Sequence, residues 1–278
     1  MTTLSIDFGA SNIRAGIVSK TKISNFKKVK TPKTKAKILK ALYSLIDSYK
    51  PLRPSKICVG VAAFIKNGNT NGTPNMDFNN VPLQSLLKKR YNLPVYTGND
   101  ANSAGLAEKY FGLGKGKKNF ILLTLGTGIG GAIIINHRLY KGNGQADEVG
   151  HIIIDHNKSL ENLASGPASV RLAHKSGFKH ITSLELEKLA NKGSKKAKAI
   201  YKQIGHYIGL GILSVANILD PEIIILGGGF AKVKHIWPEI RSVLHNRDLM
   251  KRNIPIVHAK LSDNAGLIGA ALLPKELR

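Results

Sequence analysis

The residues best suited to chemistry stand within one stretch of the chain, residues 97–151. Asp100 lies where a helix is expected to begin, and a carboxylate there can accept the proton of an attacking hydroxyl. A glycine-rich turn at residues 126–131 follows an apolar strand, and its backbone N–H groups can face phosphate oxygens. Glu148 and His151 close the stretch. This combination predicts phosphoryl transfer to a polar acceptor.

Each of these features also has a purely structural interpretation. Asp100 could cap the helix that begins near residue 101, because Asp and Asn are favoured at that position. The glycine turn could be only a tight hairpin, since glycine permits positive φ. Glu148 and His151 could be a surface pair in a glycine-rich loop. Because His151 precedes an apolar run at residues 152–154, we expect its side chain to be partly buried and to have a partner.

Length and composition indicate a protein with a full apolar core. The chain has 278 residues, of which 42% are hydrophobic, enough for one large or two modest domains. No apolar run approaches the roughly 18 residues of a membrane span, and no signal peptide is recognisable, so we expect a cytoplasmic location and no membrane partner. The single cysteine, Cys58, lies among apolar residues and is expected to be a core thiol, which excludes an internal disulfide.

The formal net charge of +25 is carried mainly by lysine, concentrated at residues 20–40 and 192–202. A nucleic-acid partner is disfavoured, because these runs have few aromatic residues for stacking and few arginines for bidentate contacts. Their helical spacing suits a solvated face instead. Such a surface would still attract anionic substrates such as ATP and sugar phosphates.

Apolar periodicity predicts an α/β chain. The first three strands, at residues 4–9, 13–18 and 23–29, should form an antiparallel meander. The helix at residues 195–219 has too wide an apolar surface for an exposed helix and should be central. Residues 112–118, with three glycines and three lysines, are the candidate domain boundary. A strand, a glycine turn and a second strand occur both at the start of the chain and around residue 126. This repetition suggests two α/β halves, each with one glycine hairpin at a cleft between them.

Six motifs, in order along the chain, resemble those of the ROK sugar kinases and repressors. The two phosphate motifs are residues 7–16 and 125–131, and the catalytic-aspartate motif between them is residues 99–104. The sugar-binding ExGH is residues 148–151, the adenosine-side motif residues 219–229 and the last helix residues 265–271. Each motif alone is weak evidence, but the ordered set covers essentially the whole chain.

This resemblance implies an α/β, two-domain, actin-like (ribonuclease H-like) sugar kinase fold with an interdomain cleft. The smaller domain would contain residues 1–112 plus 265–278, and the larger domain residues 113–264. The implied activity is an ATP-dependent transfer of the γ-phosphoryl group, with Mg²⁺, to a hydroxyl of a hexose or N-acetylhexosamine. A glucokinase-like enzyme is the leading interpretation.

The resemblance also assigns roles to individual residues. Asp100 would be the general base, and sugar hydroxyls would be held by Asn99, Asp100, Glu148, His151 and Glu161. Asp7 would organise Mg²⁺ through water. The phosphates would be approached by Gly9, Ser11, Asn12, Arg14, Gly126, Thr127 and Gly128, and the adenosine would be flanked by Gly227, Gly228 and Gly229. For Arg14, a salt bridge across the first hairpin stays open as the alternative.

Three departures from the family pattern matter. The usual three zinc-binding cysteines are missing, and a shortened loop from His156 to Glu161 stands in their place, so no zinc is expected. Ala62 and Ala63 replace a common Pro-Gly beside the sugar pocket, which bears on specificity. The sequence begins at the first phosphate motif without a helix-turn-helix segment, which disfavours a DNA-binding repressor.

Three function classes therefore remain. The first is the sugar kinase, the second a catalytically silent sugar-binding regulator of the same fold, and the third a nucleic-acid-binding protein that rests on charge alone. Intact Asp7, Asp100 and glycine turns favour the first, because a sensor has no chemical need for the base. The sequence does not fix the sugar, the reacting hydroxyl or the oligomeric state. The helix around Trp237 is a candidate homodimer interface.

Overall fold

The fold is given by a computed structural model that describes residues 2–73 and 76–276. The ends of the expected smaller domain, residues 1, 277 and 278, lie outside the described residues. The same holds for residues 74 and 75.

The regular elements alternate between strands and helices along the chain. The strands are β1 (Thr3–Phe8), β2 (Asn12–Ser19), β3 (Lys22–Lys30), β4 (Lys56–Val61), β5 (Phe64–Lys66), β6 (Asn69–Asn71), β7 (Val95–Asn99), β8 (Phe120–Leu125), β9 (Ile129–Ile135), β10 (Arg138–Leu139), β11 (Ile153–Asp155), β12 (Lys158–Ser159), β13 (Ile223–Gly227) and β14 (Ile256–His258). The helices are α1 (Lys35–Asp47), α2 (Leu83–Tyr91), α3 (Asp100–Phe111), α4 (Leu160–Ala164), α5 (Gly166–Lys175), α6 (Ser183–Asn191), α7 (Lys195–Leu219), α8 (Trp237–Arg247), α9 (Ala265–Ala270) and α10 (Leu273–Glu276).

Within the part of the chain that the structure describes, the residues divide into two compact units. The first unit comprises Met1–Lys118, Ala132–Ala146 and Asp263–Arg278, and the second comprises Asn119–Gly131 and Asp147–Ser262. The domains expected from the sequence differ from this division chiefly at Ala132–Ala146. This segment was expected in the larger domain but belongs to the first unit.

The first sheet has the strand order β3-β2-β1-β4-β7. Strands β1, β2 and β3 pair antiparallel, which confirms the predicted meander, whereas β4 and β7 join it in parallel. All six residues of β1 are buried, because α1 packs its apolar face against the core and α9 contacts β1. Cys58 in β4 is fully buried, as predicted.

The lysines at residues 20–40 do not all lie on a helix, as their spacing had suggested. Its first part is β3, the edge strand of the first sheet, and only its second part enters α1. Lysines on an edge strand discourage pairing with another chain, so this part of the charge has a structural use.

The second sheet has the order β10-β9-β8-β13-β14, and β8, β13 and β14 are parallel. Helix α7 runs 25 residues through the second unit and buries Ile204, Ile208 and Ile212, which confirms that it is central. Trp237 is also buried, and its indole N–H donates to the Ala231 carbonyl oxygen at 2.9 Å. Its side chain is therefore part of the core and does not present the interface suggested by the sequence.

Residues 66–80 are rich in Asn, Gly and Thr, a composition typical of loops. The segment nevertheless contains the end of β5 and all of β6, which form a small hairpin. Among the described residues, no helix combines the length and apolar character needed to cross a bilayer.

Candidate functional site

The junction of β7 and α3 in the first unit positions Asn99 and Asp100. Asn99 is the N-cap of α3, and its Oδ1 accepts the Asn102 N–H at 2.9 Å. Asp100 is the first helical residue, and its Oδ1 accepts the Ala101 N–H at 2.8 Å. The capping role considered for Asp100 therefore belongs to Asn99. The half-buried Asp100 carboxylate lies at the positive end of the helix dipole, which stabilises negative charge there.

The Asn99 side chain is also tied to the loop after β4. Its Nδ2 donates to the Ala63 carbonyl oxygen at 3.3 Å. A carboxamide has two donor hydrogens and two acceptor lone pairs, so these two bonds use half of its capacity. Asn99 is thus oriented by the protein and still suited to bind a hydroxyl.

Asp7 is the penultimate residue of β1 and lies beside Arg14 on β2. The two residues are cross-strand partners and form an ion pair, and Arg14 Nη1 also donates to the Asp263 carbonyl oxygen at 2.8 Å. Burial raises the pKa of the Asp7 carboxyl, and the Arg14 guanidinium opposes that rise. Of the two interpretations of Arg14, the geometry favours the salt bridge across the hairpin.

Asp7 is the carboxylate that the family resemblance implies for Mg²⁺. Within the described residues, no group of three or more His, Cys, Asp or Glu side chains could form a protein cage for a metal. One carboxylate is nevertheless the donor set expected for Mg²⁺ that is held mainly by substrate phosphates and water. Helix α9 approaches this carboxylate closely at Gly266, since a Cβ there would lie 2.6 Å from Asp7 Oδ2.

The hairpin between β1 and β2 is closed by its own hydrogen bonds. The Gly9 N–H donates to the Asn12 carbonyl oxygen at 3.0 Å, and the Thr31 hydroxyl donates to the Gly9 carbonyl oxygen at 2.7 Å. The Gly9 N–H is therefore used within the turn and is not a phosphate donor in this arrangement. Ser11 is exposed at the tip, and Asn12 is half-buried.

The glycine turn between β8 and β9 opens onto a cavity in the second unit. The turn is closed by the Gly126 N–H, which donates to the Gly128 carbonyl oxygen at 2.9 Å. The cavity measures about 730 Å³ and is lined by Gly126, Thr127, Gly166, Pro167, Val170, Arg171, His174, Ser183, Leu184, Glu187, Gly229, Phe230 and Val233. A Cβ built at Gly126 or Gly229 would meet no protein atom within 4 Å, so the space beside both glycines is open to a ligand.

The three glycines after β13 do not contribute equally to this cavity. Gly229 lines it, whereas Gly227 is the last residue of the strand. Gly228 has φ +84°, and a Cβ there would lie 2.2 Å from the Leu125 carbonyl oxygen. Gly228 therefore allows the close turn that brings Gly229 to the cavity.

Glu148, His151 and Glu161 are brought together in the second unit. His151 Nε2 lies 3.7 Å from Glu148 Oε2, and Glu161 Oε2 accepts the Ile129 N–H at 2.8 Å. Burial raises the pKa of Glu148, His151 opposes the rise, and the nearby Glu161 adds to it. The packing of this segment depends on Gly150, since a Cβ there would lie 2.1 Å from the Ile129 carbonyl oxygen.

His151 has the partner expected from the sequence, Glu148. Its side chain is 46% exposed and therefore only partly buried. The apolar residues that follow it form a small two-stranded hairpin in which Ile153 is exposed.

The cavity walls on α5 and α6 were missed by sequence reasoning. On α5 the lining residues Pro167, Val170, Arg171 and His174 fall on one helical face, and this spacing is the only sequence signal for them. On α6 the lining residues are Ser183, Leu184 and Glu187, for which no motif exists.

This mixed α/β architecture with two five-stranded sheets defines a sugar kinase fold of the actin-like ATPase type. The chain belongs to the ROK family, whose family model matches residues 3–276. This confirms the resemblance found in the sequence.

Individual relatives agree on the fold and include both enzymes and regulators. The chain is 31% identical to the glucokinase of Streptomyces coelicolor, covering 99% of this chain and 98% of that protein. It is 28% identical to the xylose repressor of Caldicellulosiruptor bescii, covering 96% of this chain and 76% of the repressor. The solved ROK family glucokinase of Streptomyces griseus, in complex with glucose and AMPPNP, superposes with a TM-score of 0.89 at 29% identity, covering 98% of this chain and 99% of that one.

Proposed function

We propose that the protein is an ATP-dependent kinase that transfers the γ-phosphoryl group to a hydroxyl of a hexose or N-acetylhexosamine, with a glucokinase-like activity. The similarity to glucokinases along nearly the whole chain supports the reaction class. The residues described above support particular roles within it.

On the acceptor side, Asp100 is the general base. A sugar hydroxyl is a poor nucleophile until its proton has an acceptor, and the carboxylate at the start of α3 supplies one. Asn99, Glu148, His151 and Glu161 hold the other hydroxyls. Asn99 can both donate and accept, whereas the carboxylates of Glu148 and Glu161 accept from hydroxyl groups.

On the donor side, the cavity in the second unit takes the nucleoside of ATP. Gly126 and Thr127 line it at one end, next to the N-terminus of α5, whose dipole favours negative charge, and Gly128 follows them in the same turn. The apolar side chains along the walls suit a base. Ser11, Asn12 and Arg14 belong to the hairpin between β1 and β2, in the first unit, and would approach the phosphates. Bound Mg²⁺ supplies neutralisation of phosphate charge, and Asp7 would hold it through water.

The transfer itself needs little covalent chemistry from the protein. The acceptor hydroxyl and the γ-phosphoryl group must be positioned in line. The hydroxyl proton passes to Asp100 as the new P–O bond forms, while the bond between the γ-phosphorus and the β–γ bridging oxygen breaks and ADP leaves with that oxygen. Exclusion of water favours transfer to the sugar over hydrolysis.

The observation that supports this proposal most directly is that Asn99 and Asp100 have different roles at the β7–α3 junction. Asn99 is the N-cap, so the Asp100 carboxylate is not needed as the N-cap acceptor, although its Oδ1 accepts the Ala101 N–H. A silent sugar-binding regulator is the second candidate, favoured by the similarity to a xylose repressor. Such a protein would bind sugar without producing ADP.

The test is an ADP-release assay with ATP and Mg²⁺ over glucose, mannose, fructose, allose and their N-acetylamino relatives. We expect one or a few of these sugars to raise ADP release well above the sugar-free rate, with one sugar phosphate formed per ADP. Sugar binding by calorimetry without sugar-dependent ADP release would support the regulator and contradict the kinase.

A further inference from the structure

The cavity of the second unit has a direction that is set by α5. The helix begins against the glycine turn, where the Gly166 N–H donates to the Gly126 carbonyl oxygen at 2.9 Å. Its lining residues extend from Gly166 to His174, a distance of about 12 Å along the helix axis. A nucleotide whose phosphates lie at the turn would therefore extend its base along this wall.

The apolar part of the cavity is suited to a planar base. It is formed by Pro167 and Val170 of α5, Leu184 of α6, and Phe230 and Val233. Phe230 is itself fixed by the buried ring of Tyr201, whose centroid lies 6.1 Å away.

Glu187 is the only carboxylate among the lining residues. It stands three residues after Leu184 on α6, so the two side chains share a helical face and the carboxylate borders the apolar part of the cavity. Helix α6 is held in place by a capping box between Thr182 and Glu185 and by a 3.1 Å hydrogen bond between the Ser183 and Ser169 hydroxyls.

A carboxylate at this place repels phosphate groups and can accept a hydrogen bond from a donor on the ligand. The other charged or titratable side chains of the lining are Arg171 and His174, and Arg171 donates to the Asn162 carbonyl oxygen at 2.7 Å. The edge of adenine carries a suitable donor, its 6-amino group.

Resting on the proposed kinase function, we propose that Glu187 is the residue that selects the nucleobase, by accepting a hydrogen bond from the 6-amino group of adenine. A base with an oxygen at position 6 then places two acceptors against each other. Sites built to hydrogen-bond an N–H group reject analogues that lack it more strongly than apolar pockets reject a change of shape.

The test compares ATP with ITP, which differs from ATP at position 6 of the base. Calorimetry on the unmodified chain should give a Kd for ATP at least tenfold lower than for ITP. In Glu187→Gln the two affinities should fall within about threefold of each other, because the amide can either accept from a 6-amino group or donate to a 6-oxo group.

Glu185→Gln is the matched control. It removes the same charge from the same helix, and Gln can serve in a capping box, so the ATP-to-ITP preference should stay unchanged. An unaltered preference in Glu187→Gln, or tighter binding of GTP than of ATP to the unmodified chain, would overturn the assignment and leave the kinase proposal standing. Absence of binding by any nucleotide would overturn both.

Discussion

Replacing Glu161 by alanine should destabilise the second unit even before any sugar is added. In the folded chain, Glu161 Oε2 accepts the N–H of Ile129, the first residue of β9 directly after the glycine turn, at 2.8 Å. Ile129 is buried, so the alanine variant leaves its N–H without that partner. Hydrogen bonds to charged groups are worth about 1.5–3 kcal/mol, and an orphaned buried donor costs a similar amount.

That loss of about 1.5–3 kcal/mol should lower the apparent Tm of the ligand-free chain by about 3–12 °C, since 1 kcal/mol corresponds to roughly 2–4 °C for a unit of this size. Scanning calorimetry is the assay. Glu161→Gln keeps a carbonyl oxygen that can accept the same N–H, so its Tm should fall by less than half as much. Asp155→Ala is the control, because among the described residues Asp155 pairs with the exposed His156 alone.

A Tm unchanged within about 1 °C in Glu161→Ala would refute the reasoning. Glu161 would then act only on the ligand. If the Tm falls as expected and Glu161→Gln still loses sugar affinity, the residue has both roles, since the amide keeps the structural bond but not the charge.

Three further predictions concern the same units. Gly150→Ala should lower the Tm and weaken sugar binding in calorimetry, because its Cβ would lie 2.1 Å from the Ile129 carbonyl oxygen; full retention of both properties would contradict the tight packing of this segment. As the pH is lowered, sugar affinity should begin to decline at a pH above the pKa of an ordinary glutamate, because burial raises the pKa of Glu148 and the proposed contact needs the charged form. Glu148→Gln should remove this pH dependence. The sign for folding is opposite, because a raised pKa means that protonation of Glu148 favours the folded state as the pH falls. Elemental analysis should find no stoichiometric zinc, because burial raises the pKa of the Cys58 thiol to about 12 and keeps it neutral; one tightly bound zinc per chain would disprove this.

The sequence predicted those elements whose periodicity is strong and local. The β1–β3 meander follows from short apolar runs separated by turns, and the central position of α7 follows from an apolar surface too wide for an exposed helix. Asn99 and Asp100 could not be separated in the same way. Both residue types are good N-caps, and only the position at which the helix begins decides which one performs the capping.

Two features could not be inferred from local sequence patterns. The apolar run at residues 152–154 does not show how exposed its strand is: β11 pairs with the short β12 and leaves Ile153 exposed. The cavity on α5 and α6 was missed because its walls come from segments that carry no motif and meet only through tertiary packing. Helical spacing on α5 indicated one face but not what that face encloses.

The general-base role of Asp100 is the central claim, and Asp100→Asn tests it most directly. The amide keeps the shape of the side chain but cannot take the proton of the sugar hydroxyl, so kcat should fall by about 10²–10⁴ while the sugar Kd from calorimetry changes by less than about threefold. Asp47→Asn, which makes the same substitution at a carboxylate paired with Lys50 and Arg90, should keep both values. Near-normal turnover in Asp100→Asn would contradict the mechanism.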